Sequence, residues 1–184
     1  PDDAERTLKP ARDFGSPIMD TVGPMPYEAV NAMLDGGFPR GALNHWKSSF
    51  LAELADGAID TMIERFAECP APMSSLLLEH FHGEATRVDP TATAFPHRTP
   101  GYNFAVLTQW PDPATTEEAI RWSRATHDAM SPFFGDGRYV NYLDDDEGQA
   151  AVRAAYGPNY PRLVELKRKY DPTNFFRMNQ NVEP

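Results

Sequence analysis

The sequence predicts an α+β domain in which an antiparallel sheet is covered on one face by helices. Segments with the alternation of strands interleave with segments of helical period. Several of the strands read as half-buried rather than continuously apolar, which argues for antiparallel or mixed pairing. The eighteen prolines are about twice the usual share of about 5%. They fall in clusters (Pro24/Pro26, Pro70/Pro72, Pro96/Pro100, Pro111/Pro113) that divide the chain into short elements.

The first predicted helix runs from Pro26 to Asp35, with Pro in its first turn and Gly36-Gly37 as the stop. Ala42 to Phe50 reads as a strand. A helix begins near Asp56, where Ile59, Met62, Ile63 and Phe66 form one apolar stripe. Ser74 to His82 is a strand with Leu76, Leu78, His80 and His82 on one side and Leu77, Glu79 and Phe81 on the other. Tyr102 to Trp110 is another. Thr115 and Glu118 have the spacing of a capping box, opening a helix whose stripe is Ala119, Trp122, Thr126, Ala129 and Met130. Pro132 and Gly135 end it. A short strand is expected at Tyr139 to Leu143, then helices at Glu147 to Tyr156 and Pro161 to Tyr170, the latter with Leu163, Leu166 and Tyr170 on its apolar face. Asp171-Pro172 stops that helix, because the residue before Pro avoids the α region. No linker-like segment divides the chain, so residues 1–184 are expected to form a single domain.

Composition excludes several classes. With 17 basic against 27 acidic residues the net charge is −10, the opposite of the basic footprint that nucleic acid requires. Neither nucleic acid nor a membrane is an expected partner, since no stretch approaches the roughly 20 apolar residues of a bilayer span. The run Lys167-Arg168-Lys169 is the solvated face of a helix. The chain opens without a basic start, an apolar run or an initiator Met, which suggests a fragment or a processed chain. The single cysteine, Cys69, fits a reducing, cytoplasmic setting and reads as a small packed hydrophobe.

Motifs for nucleotide cradles (G-x-G-x-x-G, G-x-x-x-x-G-K-S/T) and for a serine nucleophile elbow (G-x-S-x-G) are missing. His80 and His82 could share a metal with a third ligand such as His45. No H-x-x-x-H helix accompanies them, so no metal is expected. Asp144-Asp145-Asp146-Glu147-Gly148 lacks the ligand register of a calcium loop and instead suits a helix N-terminus.

The informative block is C-terminal. It reads Tyr139-Val140-Asn141-Tyr142, then Tyr156-Gly157, Asn159, Arg162-Leu163, Lys167, Tyr170-Asp171-Pro172-Thr173-Asn174-Phe175-Phe176-Arg177 and Asn179-Gln180-Asn181-Val182. These residues at this spacing resemble the C-terminal signature of the berberine bridge enzyme family: Y-x-N-Y, Y-G-x-N-x-x-R-L, K-x-x-Y/V-D-P-x-N-x-F and a closing glutamine. Looser similarity continues through Tyr27, Trp46-Lys47-Ser48, Gly83, Phe95-Pro96-His97-Arg98, Trp110, Trp122 and His127-Asp128.

The resemblance implies the substrate domain of a vanillyl-alcohol-oxidase-type flavoprotein, with the berberine-bridge-type segment at about 137–184. An FAD-binding domain is expected upstream in the same protein and absent from this chain. FAD is the implied cofactor, bound mainly by that other domain, and a small-molecule substrate is oxidised by hydride transfer to flavin. By itself the chain is expected to be inactive. A homo-oligomer is allowed, and a stand-alone binding or assembly module without flavin is the alternative.

In the family pattern Tyr142 matches the position of a catalytic base, Asn141 and Tyr139 the cofactor edge (Asn141 alternatively the substrate), and His127, Arg98 and Lys47 the substrate pocket. A phenol at its ordinary pKa of about 10 is a poor base near neutrality. A cation or hydrogen-bond donors would have to lower it, with Arg98, Lys47 and His127 as candidates. On a regular strand Tyr139 and Asn141 share one face and Tyr142 takes the other. Only a bulge or strand end would let all three line one pocket.

Overall fold

A computed structural model of the chain describes residues 2–144 and 147–184. It contains two compact units, Pro1–Arg40 and Gly41–Pro184.

In the first unit, helix α1 (Asp2–Arg12) was not legible in the sequence. Arg12 ties the unit together, donating to Glu5, to Asp20 and to the Val22 carbonyl. Helix α2 (Tyr27–Ala32) follows Pro26 as its N-cap. It is shorter than the sequence predicts, because the chain tightens into a separate 3₁₀ turn at Asp35–Gly37.

The second unit is built on a sheet of strands β1 (Leu43–Leu51), β2 (Ser75–Phe81) and β3 (Gly101–Trp110). Their order is β1-β3-β2, and β3 is antiparallel to both neighbours. The flanking strands therefore run parallel to each other. Parallel strands need a crossover, which helix α3 (Asp56–Ala67) supplies between β1 and β2. The central strand is buried from Asn103 to Trp110, as a strand covered on both faces must be.

Register assigns the two faces. Ser48 pairs with Ala105, and Ala105 with Leu77. Trp46, Ser48, Phe50, Asn103, Ala105, Leu77, Glu79 and Phe81 thus share one face, and His45, Lys47, Ser49, Leu51, Phe104 and Val106 the other. Helix α5 (Thr116–Met130) and α3 cover this second face. The main core there joins Leu51, Ala58, Met62, Phe104, Val106, Trp122 and Met130. Trp122 enters it with its donor satisfied, Nε1 reaching the Arg65 carbonyl at 2.8 Å, and Trp110, in a second cluster with Ala71 and Ala119, donates from Nε1 to Thr116 Oγ1 at 2.9 Å. Cys69 is half-buried between two apolar clusters.

After α5 come a 3₁₀ turn at Val140–Tyr142, helix α6 (Gly148–Tyr156) and helix α7 (Tyr160–Tyr170). A one-turn helix, α4 (Glu84–Arg87), lies between β2 and β3. No helix of the described residues is long and apolar enough to cross a membrane.

Four local expectations change. The segment at Tyr139 to Leu143 is a 3₁₀ turn and not a strand. The stripe on α3 is only partly used: Met62 is buried, while Ile63 and Phe66 are exposed. No residue of α7 is buried, so Leu166 and Tyr170 face solvent. The capping box is replaced by Asp112, whose carboxylate accepts from the Ala114 N–H at 2.9 Å while the Thr115 hydroxyl donates to the Asp112 carbonyl. Asp followed by Pro caps better, because carboxylates at N-cap and Pro at N1 are both favoured there. Residues Asp145 and Asp146 of the acidic run lie outside the described residues.

Candidate functional site

The face of the sheet away from α3 and α5 carries a carboxylate between two apolar side chains, Leu77 and Phe81. Both oxygens of that Glu79 are engaged. The Tyr142 hydroxyl donates to Oε1 at 3.1 Å, and Asn103 Nδ2 donates to Oε2 at 2.5 Å. Asn103 is the partner of Glu79 across β2 and β3, and it is 1% exposed. Glu79 is therefore fixed in direction from both sides.

The 3₁₀ turn resolves the geometric conflict in Tyr139-Val140-Asn141-Tyr142. In a 3₁₀ helix, side chains at i and i+3 eclipse, so Tyr139 and Tyr142 fall on the same side. Their rings meet edge to face with centroids 5.2 Å apart. Asn141 Nδ2 donates to the Tyr139 hydroxyl at 2.9 Å. Tyr142 also packs edge-on against Trp46 at 5.8 Å. All three residues gather over the face of the sheet opposite α3 and α5.

Burial, with the adjoining Glu79 carboxylate next in importance, pushes the Tyr142 phenol up to about 12. Both causes disfavour the phenolate. The sequence-based expectation of a neighbouring cation is thus reversed: the polar partner of this hydroxyl is an acid. The carboxylate accepts the phenol proton, so any base chemistry here belongs to the pair.

Next to Glu79 a cavity of about 380 Å³ is lined by Phe50, Phe81, Phe95, Arg98, Asn103 and Tyr139. Arg98 is anchored by its terminal nitrogens, to the Ala85 carbonyl at 2.9 Å and Thr93 Oγ1 at 2.8 Å, and lies over the Phe95 ring. Its buried Nε has no partner among the described residues. Ser48 Oγ and Asn103 Oδ1, on the face of the sheet opposite α3 and α5, are likewise buried without a partner among them.

Lys47 and His127 lie elsewhere. Lys47 projects from the helix-covered face and pairs with Glu147 at 3.1 Å. His127 Nε2 meets Ser49 Oγ at 3.1 Å on that same face, and burial lowers its pKa. Both line a different cavity of about 320 Å³ with Arg124, Asp128, Arg138 and Glu147. Of the three residues expected in one pocket, only Arg98 stands beside Tyr139. The histidine pair at β2 does come together, with rings 4.4 Å apart. His45 is remote from it, opposite Thr108 and bonded to Ser123.

Glu79 and Asn103 were not singled out by the sequence. For Glu79 a signal existed, since a charged residue on a strand face between Leu77 and Phe81 breaks the apolar alternation. Asn103 had none, because its role depends on strand register.

The chain as a whole is similar to known proteins. Residues 138–183 match the family described as Berberine and berberine like. Over 183 residues the chain is 32% identical to the uncharacterized FAD-linked oxidoreductase YgaK of Bacillus subtilis, covering 98% of this chain and 40% of that protein. An FAD-linked oxidoreductase of Dictyostelium discoideum is 26% identical over 174 residues, covering 93% of this chain and 37% of its own length. Among solved structures, glycopeptide hexose oxidase complexed with teicoplanin superposes with a TM-score of 0.69 at 25% identity, over 78% of this chain and 33% of that one. A variant of berberine bridge enzyme superposes over all of this chain and 44% of its own, with a TM-score of 0.81 at 21% identity.

The fold is that of the corresponding part of berberine-bridge and vanillyl-alcohol-oxidase-type flavoenzymes. Residues 138–183 carry the segment of that family, and over nearly its whole length the chain is similar to proteins named as FAD-linked oxidoreductases. It spans 40% of the length of the Bacillus subtilis relative and 37% of that of the Dictyostelium discoideum one.

Proposed function

We propose that this chain is the substrate-binding part of an FAD-dependent oxidoreductase that oxidises a small organic molecule, with Glu79 and Tyr142 as its proton-accepting pair. The observation that carries this reading is the Tyr142–Glu79–Asn103 chain of hydrogen bonds on the face of the sheet opposite α3 and α5, beside an aromatic cavity.

The residues of this face fit a flavin. A planar ring needs flat apolar cover and hydrogen-bonding groups at its edge, which Trp46, Tyr139 and Asn141 offer. Asn141 and Tyr139 would hold the cofactor edge. Flavin, when bound, supplies the acceptor for the hydride.

The work left to this chain is orientation and proton removal. The substrate's apolar part rests among Phe50, Phe81 and Phe95, and the guanidinium of Arg98 holds its polar end. A substrate O–H or N–H set against the Tyr142 oxygen gives up its proton there as the phenol proton passes to Glu79. A phenol at about 12 cannot hold a vacant basic site at neutrality, but it can hand one proton on as it takes another. Asn103 keeps Glu79 aimed at the phenol.

The test uses the complete flavoprotein. Tyr142→Phe and Glu79→Gln should each slow flavin reduction about 100-fold, in the range for general acid–base catalysis, followed by stopped-flow absorbance. The double variant should be little worse than either, since groups acting as a unit are not additive. Unchanged rates in both single variants would remove the pair from the mechanism.

A further inference from the structure

The cavity beside Glu79 is continued by a neighbour. Phe50 and Arg98, which line it, also line a second cavity of about 460 Å³ at the end of β1. Its walls are the end of β1, the loop leading into β3, the loop after α5 and the turn between α6 and α7. These walls are tied to one another. The Gly135 N–H donates to the Phe50 carbonyl at 2.8 Å, and Leu51 and Phe134 form a β-bridge. His97 bonds through Nε2 to the Ala155 carbonyl at 2.9 Å and packs against the Phe50 ring at 4.7 Å. Gly157 lies so near Pro96 that an added Cβ would sit 3.5 Å from its Cγ. The space is therefore preformed, as ligand cavities usually are.

The lining selects the occupant. Gly101, Gly135 and Gly137 have no side chain to fill the space, and they let a flat group lie against the backbone. Pro96, Pro100 and Pro158 add rigid apolar wall. Burial lowers the pKa of His97, which keeps its imidazole uncharged at neutrality, and the Asp136 carboxylate is exposed beside it. A neutral aromatic group suits this space better than an anion. Arg98 commits its terminal nitrogens to the Ala85 carbonyl and Thr93 Oγ1, but its buried Nε has no partner among the described residues. That N–H belongs to a residue common to both cavities, where it can donate to an oxygen lying between them. Alone, the first cavity, of about 380 Å³, is near the floor of the roughly 300–1,000 Å³ that ligand sites span. With the second it admits a molecule of two rings.

We propose that the second cavity holds the distal aryl group of an elongated substrate, whose reacting end lies against Tyr142 and whose neutral polar link accepts from Arg98 Nε. This inference rests on the functional reading above and names the class of molecule it takes: two apolar parts joined through an amide, ester or ether oxygen.

The experiment uses the complete flavoprotein and two probes, 4-(hydroxymethyl)benzamide and its N-phenyl derivative, which differ only in the distal ring. Calorimetry gives the affinities, and the flavin absorbance band reports whether the alcohol reaches the reacting end. Both amides should shift the band. The N-phenyl amide should bind at least about tenfold tighter, the scale set by burying an aromatic ring. Ala154, an exposed residue of α6, borders the second cavity. Ala154→Phe should fill the cavity and abolish that preference while leaving the smaller amide unaffected, and Ala154→Ser should keep it. Equal affinities for the two amides, or a preference that survives Ala154→Phe, overturns the distal site alone. Failure of both amides to bind, or binding with no shift of the flavin band, overturns the reading of the first cavity and this inference with it.

Discussion

The Tyr142 hydroxyl illustrates how one neighbour sets chemistry. Its ordinary value near 10 rises to about 12 through burial and Glu79, so the phenol stays neutral in the fold at a pH where an unfolded chain has lost the proton. The folded state then binds more protons than the unfolded one, and stability falls as pH rises. The contribution is complete below about pH 10 and is lost as pH climbs toward 12. Urea midpoints measured at pH 9 and pH 11 should differ more in the wild-type chain than in Tyr142→Phe. Identical shifts would mean that burial of the phenol does not couple to folding. Tyr142 itself was legible from the motif, but its partner was not, because a hydrogen bond between residues 63 apart leaves no local pattern.

At the scale of elements, the approach to the site depends on close contacts that only small residues permit. Gly137 adopts φ +93°, and an added Cβ would sit 2.4 Å from His97 Cε1 and 2.7 Å from its Nδ1. His97 in turn donates from Nε2 to the Ala155 carbonyl at 2.9 Å, tying the loop before β3 to α6. Gly137→Ala should therefore destabilise by about 1–3 kcal/mol, combining overpacking with a disfavoured φ, as a drop in thermal midpoint would record. A change below about 0.5 kcal/mol, the usual size for an unconstrained surface site, would show that the imidazole simply moves aside. The short segment at Val140–Tyr142 teaches the related lesson. Alternation of Tyr, Val, Asn and Tyr suits a strand, yet among the described residues the segment finds no partner strand and tightens into a 3₁₀ turn. A strand needs a neighbour with free backbone groups to pair with, which propensity cannot supply.

Over the whole of the second unit, the face covered by α3 and α5 supplies the main core, and the opposite face carries the candidate site. Phe104 is 0% exposed at the centre of the main core. Phe104→Ala should cost about 3–5 kcal/mol, visible as a large fall in the denaturant midpoint. Glu79→Gln, which keeps its volume on the other face, should change the midpoint far less. Comparable losses in both would contradict this division between the faces. Much of the architecture was open to sequence reasoning: all three β-strands, α3 and α5 follow from period and punctuation, and the C-terminal motif pointed to the family. Those signals are local, since strand alternation, helical stripes and turn residues act over a few positions. Tertiary structure alone decided that Lys47 and His127 sit behind the sheet, that α7 leaves Leu166 and Tyr170 to solvent, and that Glu79, Asn103 and Tyr142 form one chain of hydrogen bonds. Those outcomes depend on register across three strands and on which element packs where, and a one-residue shift in register would send Glu79 to the opposite face.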